Sequence, residues 1–203
     1  MKNKISSINS SSNLLSLSKI IFKNAKDLYK EARLLLFFRK NARALFLSQI
    51  GGEELGKYLL CTSAYTQYRS DNFNISAFNK MFYTHKEKTI LVNFIEDILL
   101  NIDPKNRIER ISETDDLEKM KLFSLYADVY ENQYLISPND LVQRSMARNA
   151  VKWLGNRIKL FSKINFLEIA EKMERISDDG FKQLWEKFNN EIKEMCIKVK
   201  YGT

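Results

Sequence analysis

Two prolines and six glycines are all the backbone punctuation this 203-residue chain carries. That scarcity constrains the fold more than any other feature. A β-sandwich, a barrel or a Gly-rich phosphate loop needs more turn residues than this. Between the few breaks, apolar residues recur every three or four positions, the period of an amphipathic helix. The 44% apolar content is enough for a packed core. The expectation is an all-α, single-domain helical bundle of about five to seven helices spanning 1–203, with 1–12 a flexible N-terminal segment.

The pattern predicts helix boundaries. Leu14, Leu17, Ile21, Ala25, Leu28, Ala32 and Leu35 trace one stripe on a first helix from about Asn13 to Phe38, with Ser10–Ser12 offering N-caps. A second helix runs from about Asn41 to Tyr68, its apolar side including Leu45, Ile50, Leu55, Tyr58, Leu59 and Tyr65. Gly51, Gly52 and Gly56 fall inside it, each about 1 kcal/mol worse than alanine in a helix interior, which points to close helix approach or a local irregularity. After a turn at Asp71–Asn74, a third helix spans Ile75 to Asn101 with Phe78, Phe82, His85, Val92, Ile95 and Leu99 near one face, ending at Asp103-Pro104. Residues 103–116 read as a connection, a short helix follows to Tyr126, and 127–137 as a loop or short extended piece. Ser137-Pro138 opens a fourth long helix to about Phe161, and two more run over Asn165–Ile176 and Asp178–Val199.

Composition also excludes functions. One histidine, His85, and two cysteines, Cys61 and Cys196, leave no zinc finger, multi-histidine metal centre or disulfide scaffold. No cofactor and no metal are expected. The cysteines read as buried thiols in a reducing compartment. The longest strictly apolar run, Leu34–Phe38, is far short of the ~20 residues a bilayer requires. With no signal peptide recognisable, the reading is a soluble cytoplasmic protein without a membrane partner.

The net charge of +8 is unevenly placed. Residues 1–70 hold 12 basic and 4 acidic groups, 71–140 hold 8 and 13, and 141–203 hold 13 and 8. The basic ends either dock on the acidic middle or form a face for an anion. Arg144, Arg148 and Lys152 repeat every four residues, and Arg157, Lys159 and Lys163 continue the charge. No Asp or Glu occurs from Leu141 through Asn165. Such a stripe suits phosphates, the acidic middle of the chain or a partner protein.

Three clusters carry the remaining chemistry. Glu53, Glu54 and Lys57 sit within one helical turn, as surface ion pairs or, beside the glycines, as part of a site. His85 and Lys88 lie one turn apart, a bundle histidine or a general acid–base group beside an anion-holding ammonium. Tyr126 and Asp128 offer a hydroxyl and a carboxylate near a helix end, or a loop anchor and a turn residue.

The order of these clusters resembles the AbiV family of bacterial abortive-infection proteins. The resemblance covers roughly Asn24 to Ala150 and rests on Glu53-Glu54-Leu55-Gly56-Lys57, on His85 with Lys88, and on Ser124-Leu125-Tyr126-Ala127-Asp128 before Pro138, with Ala25, Ala32 and Ala44 upstream. It implies phage defence and membership of the HEPN-like helical superfamily, whose bundles commonly form homodimers. Many of those proteins cut RNA with an Arg-x(4–6)-His motif, the histidine assisting attack by a ribose 2′-hydroxyl. This chain departs from that pattern. No arginine lies at that spacing ahead of His85; Lys80 does, and lysine lacks the planar fork that grips phosphate.

Two readings follow. In the first, the protein binds a phage or host protein and shuts down gene expression or translation, consistent with its sparse catalytic inventory. In the alternative it is a metal-independent ribonuclease acting on RNA needed for translation. There His85 is the base, Lys88 and Lys57 stabilise the phosphate, Glu54 orients a partner group, and the Arg144–Lys163 stripe tracks the backbone. Glu54, Lys57, His85 and Lys88 converge if the second and third helices are antiparallel neighbours.

Overall fold

The computed structural model describes residues 10–69, 71–85, 88–93, 121, 124, 128–130, 134–164, 168 and 179; for 128–130 and 134–136 it describes the backbone alone. The architecture is all-α, as the periodicity predicts. Helices α1 (Ser11–Phe37) and α2 (Asn41–Arg69) form a long antiparallel hairpin, followed by α3 (Ile75–Tyr83). After a two-stranded antiparallel ladder, β1 (Asp128–Tyr130) with β2 (Tyr134–Ile136), come α4 (Pro138–Leu141) and α5 (Arg144–Ile164). In the ladder Asp128 pairs with Ile136 and Tyr130 with Tyr134. The expected short extended piece at 127–137 is therefore a small hairpin. The segments at 94–120, 165–167, 169–178 and 180–203, and the helices expected there, lie outside the described residues.

The α1–α2 hairpin closes through a backbone device rather than a glycine. Arg39 takes the left-handed conformation (φ 58°). Arg39 N–H donates to the Leu36 carbonyl (3.1 Å) and Lys40 N–H to the Leu35 carbonyl (2.8 Å), the paired bonds of a Schellman ending. Asp71 (φ 58°) ends α2 in the same way, with bonds from Asp71 N–H to Tyr68 and from Asn72 N–H to Gln67. Asn74 then caps α3, its side chain accepting from Ala77 N–H at 3.0 Å.

The central element is α2, packed against α1, α3, α4 and α5. Its residues Gly51 through Gly56 are buried without interruption. Phe22 stacks on Tyr58 (ring centroids 4.7 Å apart), and Phe161 lies tilted against Tyr58 with centroids 6.5 Å apart. Near the hairpin turn the core is built of small residues: Ala32, Ala42, Ala44 and Ala147, with Leu45 and Val151. The three α2 glycines serve close approach. A Cβ on Gly51 would meet the Leu154 side chain at 2.5 Å, one on Gly52 the Trp153 ring at 2.5 Å, and one on Gly56 the Lys88 carbonyl oxygen at 2.5 Å. Helix α5 and residues 88–93 therefore reach the α2 backbone only because those positions lack side chains.

Two long helices of the sequence reading are each divided. The third breaks at Thr84, which is extended (φ −92°, ψ 123°) while its hydroxyl donates back to the Lys80 carbonyl at 2.7 Å. Helical backbone resumes at His85 and is present at 88–93. The fourth starts as expected, with Ser137 at the N-cap position and Pro138 at N1, but ends after one turn at Leu141. Val142 is extended and buried, and α5 begins afresh at Arg144.

Candidate functional site

The site forms where His85 and residues 88–93 meet α2 at its glycine-flanked carboxylates. Glu53 and Glu54 face inward, 7% and 8% exposed. Burying two carboxylates on one turn is costly unless cations satisfy them. They are satisfied. His85 Nδ1 lies 2.5 Å from Glu53 Oε2, and Lys121 Nζ donates to Glu53 Oε1 at 2.5 Å. Lys88 Nζ stands 3.9 Å from Glu53 Oε2 and donates to the Phe82 carbonyl at 3.2 Å. Glu54 pairs with Lys57, whose ammonium also lies over the Phe82 ring.

An ionised carboxylate only accepts, so Nδ1 carries the proton in the Glu53–His85 pair and Nε2 is left at the other edge of the ring. The imidazole side chain is 59% exposed although its carboxylate partner is buried. This contact fixes the ring through Nδ1 while more than half of the imidazole side chain stays open to solvent. The break at Thr84 explains the difference from the expectation of an apolar-side histidine: Phe78, Phe82 and Val92 are buried, and His85 is turned out of that stripe.

Electrostatics agree with the contacts. Burial opposes ionisation of Glu53, yet hydrogen bonds from Lys121 and His85, with the Lys121 charge, outweigh it and hold the carboxyl below the usual range. Lys88 is 2% exposed, and burial depresses its pKa against the pull of Glu53. It is an ammonium held by a carboxylate and a helix carbonyl, not a free surface charge.

The expected convergence of Glu54, Lys57, His85 and Lys88 is present, but Glu53 is its hub. The carboxylate that orients His85 is Glu53, and Glu54 is engaged by Lys57. Lys121 was not singled out by the sequence; it reaches Glu53 across 68 positions, and no local motif marks it. Ser124 is buried, its hydroxyl donating to the Lys121 carbonyl at 2.7 Å. Tyr126 lies outside the described residues, and Asp128 is described as the first backbone position of β1.

The basic stripe divides in two. Arg144, Arg148, Lys152, Lys159 and Lys163 are exposed along α5. Arg157 is a correction: it is 2% exposed, stacks over Trp153 (3.9 Å to the ring centroid) and donates to Asn93 Oδ1 at 3.1 Å. It ties α5 to residues 88–93 instead of offering a charge to solvent. Cys61 is a fully buried free thiol on α2, whereas Cys196 lies outside the described residues. No helix among the described residues is long and apolar enough to cross a membrane.

Searches of curated proteins and of solved structures return no match. The family profile HEPN_AbiV, described as AbiV, matches residues 13–159, which include nearly all of α1, α2, His85, Lys88, Lys121 and most of α5. With well over half of its length matched, the chain belongs to the AbiV family of HEPN-like proteins.

Proposed function

We propose that this protein is an abortive-infection phage-defence factor that arrests phage propagation by cutting RNA needed for translation, with His85 as its acid–base group and Glu53 as the carboxylate that orients it. One observation carries the reading: a solvent-facing imidazole held through Nδ1 by a buried carboxylate at 2.5 Å. A bundle histidine has no need of that exposure, whereas a general base needs both an oriented ring and an open Nε2. In the reaction, Nε2 takes the proton of a ribose 2′-hydroxyl. The 2′ oxygen bonds to phosphorus, the bond to the 5′ oxygen breaks, and that oxygen leaves with the proton returned by His85. The ammonium groups of Lys57, Lys88 and Lys121 surround the two carboxylates and keep the local field positive toward a phosphate. No metal is called for.

The test is incubation of purified protein with total RNA, with and without extract of phage-infected cells. Cleavage by the native chain and none by folded His85→Ala is expected. Intact RNA in both conditions overturns the reading.

A second reading, arrest by binding a phage or host protein, is favoured by the end of α1. Leu34, Phe37 and Phe38 are 57%, 75% and 60% exposed, and the two phenylalanine rings meet edge to face. Exposed aromatic residues of that kind are typical of protein contacts. Phage resistance that survives His85→Ala but is lost in Phe37→Ser/Phe38→Ser selects this reading over the first.

A further inference from the structure

We propose that the outward face of α5 holds the sugar–phosphate backbone of a nucleic acid. This extends the RNA reading but does not depend on cleavage at His85.

The argument starts from what the face contains. Every α5 residue described as exposed is a cation or a small polar group: Arg144, Arg148, Lys152, Lys159 and Lys163, with Ser145, Asn149, Asn156 and Ser162 between them. At about 100° per residue the five cations fall within one sector about 100° wide. The helix has 21 residues, so the row extends along about 30 Å at 1.5 Å per residue. None of the five forms an ion pair with a described carboxylate, and α5 itself has no acidic residue.

The same inventory selects among polyanions. A protein-binding face is enriched in aromatic residues at its centre and depleted in lysine. This one has three lysines and, among the side chains described on α5, no exposed apolar one. A helix lying on a lipid surface inserts its apolar face. The apolar face of α5, with Leu154, Ile158 and Phe161, is already buried in the core. Arginine and lysine with serine and asparagine are the donors that contact phosphate and sugar without reading bases. A row at one-turn spacing suits a repeating phosphate chain rather than a single anion.

The face is also joined to the His85 site. Trp153 packs on Gly52, next to Glu53, and Arg157 beneath the face bonds Asn93 in the segment that carries Lys88. A strand along α5 is thereby held by the helix that abuts the catalytic candidates.

The test uses the full chain carrying His85→Ala, so that RNA stays intact, and fluorescence anisotropy with labelled single-stranded RNA, single-stranded DNA, poly-glutamate and anionic vesicles. Five phosphate contacts on a single strand predict a log–log salt slope of about −3.5, a loss of about 100-fold in affinity between 50 and 200 mM salt. Lys152→Gln with Lys159→Gln, both on exposed positions, lowers the slope magnitude by about 1.4 and leaves the thermal midpoint unchanged. Similar affinity for RNA and DNA, or preference for RNA, supports the proposal. Tighter DNA binding keeps the face and counts against the RNA-cutting reading, so the two fail separately. A slope near zero, a slope indifferent to both substitutions, or tighter binding to poly-glutamate or vesicles than to either strand overturns it.

Discussion

Gly56→Ala isolates what the α2 glycines contribute. In an open helix this change is favourable by about 1 kcal/mol, because alanine loses less backbone entropy. Here the new Cβ would lie 2.5 Å from the Lys88 carbonyl oxygen, 2.6 Å from Lys88 Cβ and 2.8 Å from its carbonyl carbon. Ordinary contact begins near 3.4 Å, so residues 88–93 would have to retreat by about 0.9 Å. The obstacle is backbone, which cannot swing aside, and Val92 and Lys88 beside it are 0% and 2% exposed. Overpacking of a core costs typically about 1–3 kcal/mol, and a backbone clash belongs at or above the upper end. Against the propensity gain, the net is a loss of about 2 kcal/mol.

For a chain of this size that corresponds to a thermal midpoint lower by about 4–8 °C. Gly155→Ala supplies the control. Its Cβ would meet the outer end of the half-buried Tyr29 ring, with the closest atoms at 2.7 Å, and a ring end can rotate outward. That variant is expected within about 1 kcal/mol of the parent. Thermal and urea unfolding of both variants decide the matter. A Gly56→Ala protein as stable as the parent, or more so, refutes the claim that α2 and residues 88–93 are in backbone contact, and with it the placement of Lys88 beside Glu53.

Glu53→Gln leaves the buried Lys88 and the half-buried Lys121 without their shared counter-charge; a loss of about 3 kcal/mol in urea unfolding is expected, partly recovered by adding Lys88→Met. Because the folded-state pKa of Glu53 is lowered, its stabilisation is complete above the reference value of 4.5 and is lost as pH falls through the lower folded value; thermal midpoints measured down through that range should drop less steeply in Glu53→Gln. The pKa of Lys88 is likewise lowered, so the native chain gains stability as pH rises through that value toward 10.5, and Lys88→Met should remove the gain. Arg157→Gln, which strips a buried guanidinium from Trp153 and Asn93, should cost about 2–3 kcal/mol, whereas exposed Lys152→Gln should stay within about 0.5 kcal/mol. Burial pushes the Cys61 thiol up to about 12, so iodoacetamide at neutral pH should label it only after unfolding, as read by peptide mass mapping.

What the sequence makes legible follows from the range over which the deciding interactions act. The bounds of α1 and α2 come out within two residues because a Pro-free amphipathic stripe is a local property. Gly51, Gly52 and Gly56 announce close approach for the same reason, since each carries a penalty that only a neighbour can offset. Which neighbour arrives is a tertiary fact: Leu154, Trp153 and Lys88 lie 103, 101 and 32 positions away. The break at Thr84 is invisible because no Pro or Gly marks it; a hydroxyl returning to Lys80 and the pull of Glu53 on His85 end the helix instead. The sequence reading gives the orienting role to Glu54, yet the choice between adjacent carboxylates depends on a 100° rotation about α2 and on Lys121, neither of which spacing reveals. Arg157 is different, because its position was readable. Thirteen residues after Arg144, it sits about 220° around the helix, on the opposite side, while Lys159 and Lys163 return to about 60° and 100°. Counting charge along the chain merged six cations into one stripe; their angles around the helix separate five that face solvent from one that faces the core. The same count thus contains both a surface for phosphate and the bolt that fastens it to the histidine site.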